Sequence, residues 1–157
     1  MRTSGKGTAS AFVVALAAAS LGACSREYSA GTITVVEPWS RATAEGVAVG
    51  AAYMVIKNNG VAAINLVGGA TPIAEAVEVH TMTMEGDVTR MRPVTDGLLI
   101  PPGGSIEFKP GANHLMLVGL KKRLSEGENV PLTLAFEPAA SVDVEVAVKA
   151  AGGAHGH

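Results

Sequence analysis

Residues 105–148 read SIEFKPGANHLMLVGLKKRLSEGENVPLTLAFEPAASVDVEVAV, four short apolar runs cut by turn-forming residues such as Pro110-Gly111. In the last run Val142, Val144, Val146 and Val148 alternate with Asp143, Glu145 and Ala147. A period of two places one face of a strand in a core and the other in water. This strand is expected near a sheet edge. Upstream the same texture recurs in ITVV (33–36), AYMVIK (52–57) before Asn58-Asn59-Gly60, VEVH (77–80) and VTRMRPV (88–94). Turn signals every 8–12 residues or so are the signature of an antiparallel sandwich or barrel. No stretch beyond Thr32 carries a helical period, so the predicted class is all-β.

The chain has 157 residues, 48% hydrophobic and only 17% charged, enough apolar material for one small folded domain. Its formal charge is −2, and setting aside residues 1–23 removes Arg2 and Lys6, leaving 10 basic and 14 acidic residues. An acidic body with 4% aromatics argues against a nucleic-acid partner. A single cysteine excludes an intramolecular disulfide, a thiolate zinc cluster and a CxxC redox pair.

Residues 1–23 have the form of an export leader. Arg2 and Lys6 give a basic start, Ala9 to Leu21 an apolar run too short to span a bilayer comfortably, and Gly22 and Ala23 a small-residue cleavage region. Leu21-Gly22-Ala23-Cys24 resembles the bacterial lipobox, which implies that Cys24 becomes the lipidated first residue of a membrane-tethered protein. A plain secretory signal cut near Ala23 or Ala30 is the alternative. Both readings put the mature domain in the periplasm or cell envelope. The expected division is a leader over 1–23, a linker over 24–31, the folded domain over 32–149 and a histidine-containing tail over 150–157.

The residues able to carry chemistry are concentrated. His80, Met82, Met84, Met91, His114 and Met116 all fall between positions 80 and 116. In HTMTMEGDVTRM (80–91), a strand puts His80, Met82 and Met84 on one face. A hairpin over Glu85-Gly86-Asp87-Val88 would set Met84 opposite Thr89 and Met82 opposite Met91, with His80 diagonal to Met91 at about 7–8 Å. A slip of one residue would turn Met91 to the other face. In His114-Leu115-Met116-Leu117 the histidine and methionine share one face and the leucines the other. Imidazole with thioether is a soft, neutral donor set suited to copper(I), whereas zinc prefers thiolate, imidazole or carboxylate and calcium prefers oxygen. With no thiolate nearby, a blue-copper electron-transfer centre cannot be built. The structural alternative is methionines filling an irregular core and histidines serving as satisfied polar residues.

Pro38-Trp39-Ser40-Arg41-Ala42, AAYMVIKNNG (51–60), VEVHTMTMEGDVTRMRPV (77–94), IPPGGSIEFKPGANHLMLVGLKKRL (100–124) and EGENVPLTLAFE (126–137) together resemble the PCuAC family of periplasmic copper(I) chaperones. The family fingerprint is a His, a Met eleven residues on, and a later His-x-Met, matched by His80, Met91, His114 and Met116. The resemblance implies a cupredoxin-like Greek-key β-barrel or sandwich holding one copper(I). It also implies delivery to the copper centre of cytochrome c oxidase, on its subunit II, or to another envelope acceptor. Met82 and Met84 match accessory methionines that the family leaves optional. His155 and His157 could form a second, weaker copper(II) site or a solvated, frayed end.

An enzyme is not expected: no Ser-His-Asp arrangement can be placed, and His80 and His114 are the only histidines of the folded body. The non-catalytic rivals are copper sequestration and a purely structural or binding lipoprotein. Histidine ligands must be deprotonated, so copper(I) affinity should weaken below about pH 6.5. Lys121-Lys122-Arg123 is either a solvated turn or a docking site for an acidic partner.

Overall fold

The computed structural model describes residues 25–152. The strands are β1 Glu27–Ala30, β2 Ile33–Arg41, β3 Val49–Asn58, β4 Ile64–Ala70, β5 Ala76–Glu85, β6 Val88–Pro93, β7 Leu98–Ile100, β8 Ser105–Phe108, β9 His114–Val118, β10 Asn129–Glu137 and β11 Val142–Lys149. Among the described residues there is no helix, as the absence of any helical period predicted. Neighbours run β2-β11-β10-β4-β5-β9-β3, and pairing of β3 back onto β2 closes the path into a barrel. Every pairing is antiparallel except β11 with β2. Among the described residues, closure leaves free edges only on the short outlying strands β1, β6, β7 and β8, each paired with a single neighbour.

Inward residues of the barrel strands fill its interior. Val35, Ile56, Leu66, Ile100, Leu115, Leu117, Leu134 and Val142 are buried in one continuous core. Burial of side chains this size contributes roughly 1.5–3 kcal/mol each.

Two expectations change. The valine-alternating strand, expected near an edge, is β11, and it lies between β10 and β2. A period of two reports that one face is wet and says nothing about how many neighbours flank the strand; here Asp143 and Glu145 face water while both edges are paired. Within the expected linker, residues 27–30 form β1, paired residue by residue with Ile33–Val36 around a turn where Gly31 has φ +58. The Tyr28 hydroxyl, donating to the Glu145 carbonyl at 3.3 Å, and the Arg26 guanidinium, donating to Asn129 Oδ1 at 2.6 Å, hold this segment on the barrel.

A bulge in β2 between Val36 and Trp39, where Glu37 has φ +48, reverses the strand's facing. Beyond it Ser40 points inward, its hydroxyl donating to the Ala51 carbonyl at 2.7 Å, and Trp39 points outward onto Tyr53 with ring centroids 4.6 Å apart.

Candidate metal centre

Strand alternation builds the site. On β5, Val77 and Val79 enter the core, so Glu78, His80, Met82 and Met84 stand on the outer face. On β9, Leu115 and Leu117 enter the core, which turns His114 and Met116 outward. The antiparallel register sets His80 directly across from His114 and Glu78 across from Met116. Four side chains therefore form a square on one outer face. On β3, Ala51 opposite Met116 and Tyr53 two residues on continue that face, and burial pushes the Tyr53 phenol upward while the Arg41 guanidinium opposes the shift.

The third contributing strand is β6. Gly86-Asp87 forms a two-residue turn, with Gly86 at φ +64, the conformation that the first position of a type II′ turn requires. The resulting register pairs Met84 with Thr89, Met82 with Met91 and His80 with Pro93. Met91 is thus diagonal to His80, on the same face. Glu85 is salt-bridged to both Arg90, at 3.0 Å, and Arg92, which steadies the hairpin on its opposite face.

The two imidazoles are fixed by their outer nitrogens. His80 Nε2 lies 2.8 Å from the Glu78 carboxylate, and His114 Nδ1 lies 2.8 Å from the Ala112 carbonyl. Each partner can only accept, so each of these nitrogens carries the proton. The remaining nitrogens, His80 Nδ1 and His114 Nε2, then expose lone pairs. Both are buried without a hydrogen-bond partner, and among the described residues Arg41 Nε is the only other side-chain atom in that condition. An unpaired buried polar atom costs about 1–3 kcal/mol, so two of them on directly paired residues require an explanation. The ring centroids are 5.8 Å apart at a tilt of 37°. An ion about 2 Å from a nitrogen lies roughly 3 Å from that ring's centroid, so this spacing suits two rings sharing one ion.

Hard donors do not complete the site: among the described residues no three of His, Cys, Asp and Glu gather where they could hold a metal. Further donors must come from the thioethers. Met116 is half-buried beside His114, while Met91 and Met84 are 49% and 67% exposed. The Met84 sulfur accepts a hydrogen bond from the Thr89 hydroxyl at 3.0 Å. Met54, by contrast, is a core filler on the inward face of β3. Cys24, His155 and His157 lie outside the described residues.

Glu78 is the site residue that the sequence reading passed over. It shares the period-two face of His80, and that spacing was the signal available.

The chain matches the family described as "Putative lipoprotein LpqE-like" over residues 33–148. It is 30% identical over 123 residues to the "Putative lipoprotein Lxx21020" of Leifsonia xyli subsp. xyli, covering 78% of this chain and 73% of that protein. The copper-bound PCuAC domain from PmoF2 superposes with a TM-score of 0.68 at 29% identity, covering 80% of this chain and 98% of that domain. The solution structure of CuI-DR1885 from Deinococcus radiodurans gives 0.59 at 34% identity, covering 71% and 74% respectively. The architecture is thus the cupredoxin-like β-sandwich expected.

Proposed function

Because this chain belongs to the LpqE-like family of PCuAC domains, among whose solved structural neighbours are copper-bound forms, we propose that it is a copper carrier. In this reading it binds one copper(I) through His80, Met91, His114 and Met116 and yields it to an acceptor such as the copper centre of cytochrome c oxidase subunit II. The observation that carries the reading is the pair of buried, unpartnered imidazole nitrogens on adjacent strands with methionine thioethers on the same face.

Thioethers carry no proton at physiological pH and can leave a copper ion one at a time. An incoming thiolate or imidazole replaces them through a shared intermediate, so carriage needs no catalytic step. A lipid on Cys24 would hold the domain at the envelope membrane, close to a membrane-bound recipient.

The test is anaerobic titration with copper(I) against a competing chelator. One equivalent should bind to the wild type, and Met91→Leu with Met116→Leu should abolish high-affinity binding while the fold, read by circular dichroism, persists. A wild type with no affinity above that of the double variant sinks the reading. Mixing the loaded protein with an isolated oxidase copper domain then separates delivery from storage, since storage leaves the acceptor empty.

A further inference from the structure

The β5–β6 hairpin has two chemically different faces. Glu85, Arg90 and Arg92 lie on one, locked in a charged cluster. The other carries Met84, Met82 and Met91 and no charge until Glu78, beyond His80. Along this second face exposure falls from the hairpin end inward: Met84 is 67% exposed, Met91 49%, the His80 side chain 13%, and His114 6%. Core packing does not account for a methionine that is two-thirds exposed.

Resting on the copper(I) reading above, we infer that this face is a thioether relay, with Met84 as the outer landing point through which copper(I) enters and leaves the buried histidine pair. Rows on one face of a strand are about 7 Å apart. That gap is within reach of two flexible methionine side chains, so the ion can be bonded to sulfur of one row before it leaves the other. Each step between thioethers forms one copper–sulfur bond and breaks another, and the innermost step exchanges a copper–sulfur bond for a copper–nitrogen bond to a histidine. Copper stays in the +1 state throughout, and no proton moves, because thioethers have none to lose. The hydrogen bond from Thr89 holds the Met84 sulfur over the face, and it is weak enough to be displaced by a metal. The incoming partner must supply a soft donor, a thiolate or thioether, at the hairpin tip.

The relay predicts that Met84 governs rate and not affinity. Met84→Leu keeps side-chain volume and removes only sulfur. Using copper(I) with bicinchoninate as chelator, anaerobic stopped-flow should show loading and release both slowed about tenfold, the effect of raising one barrier by about 1.4 kcal/mol. Equilibrium affinity should stay at the wild-type value. Val88→Ala, on the charged face of the same hairpin, should change neither rate. Unchanged rates in Met84→Leu overturn the relay, and so does a loss of equilibrium affinity accompanied by faster release, which would make Met84 a ligand. A wild type that binds no copper(I) is a separate result: it removes the carrier function itself.

Discussion

At the scale of single residues, the centre depends on an acid that binds no metal in this reading. Glu78 orients His80 by accepting from Nε2, which leaves Nδ1 without a hydrogen-bond partner. Its charge also offsets that of a monovalent ion, so copper(I) with Glu78 is neutral whereas a divalent ion would leave an excess. Partners that orient a ligating histidine are worth about 10–100-fold in metal affinity. Glu78→Gln should therefore weaken copper(I) binding by a factor in that range while leaving the melting temperature of the metal-free protein nearly unchanged, because the side chain is half exposed. Competition titration checks the first part and calorimetry the second; equal affinity would show that His80 is held by packing alone. His80, Met91, His114 and Met116 were legible because soft donors recur there at strand spacing. Glu78 was not, because an acid on the wet face of an alternating strand looks like any solvating residue.

At the scale of elements, the register of β5 with β6 is the one expected from a hairpin over Glu85-Gly86-Asp87-Val88, and the one-residue slip that the sequence also allowed does not occur. The β5–β9 pairing is different. It joins segments far apart in the chain, and no local pattern in VEVH or HLMLV says that they are neighbours, so the meeting of His80 with His114 needed the fold. β11 shows the same limit, its pattern giving the buried face but not the strands beside it. The basic run at 121–123 follows the end of β9 away from His114, and Lys122 is paired with Glu128 at 3.0 Å. Glu128 is held below the usual carboxylate range first by the Ser125 backbone N–H and then by Lys122. Lys122 is thus tied within its turn, and the run lies at the other end of β9 from His114. Loop anchoring falls to buried Asn58 at the end of β3, whose amide donates to the carbonyls of Ala62, Ile100 and Pro101 and accepts from the Gly60 N–H. Asn58→Ala leaves those groups short of partners and should cost about 3 kcal/mol, near the upper end for an unsatisfied buried group. Chemical denaturation reads this directly, and a loss below about 1 kcal/mol would mean that water replaces the amide.

At the scale of the whole molecule, an ion that binds both histidines stabilises only the folded chain. Copper(I) at a hundredfold excess over Kd should add about 2.7 kcal/mol, raising the melting temperature by roughly 10 °C for a domain of this size. Anaerobic scanning calorimetry should show that rise in the wild type and little of it in Met116→Leu; the same rise in both would place the stabilising ion elsewhere. The closed order of strands has a consequence in time. His80 and His114 become neighbours only when β5 docks on β9, and that pairing belongs to the barrel that β3 completes by joining β2. A nascent chain has no assembled cradle to offer. In the carrier reading the two histidines can grip copper(I) together only once those strands have paired, so loading follows folding.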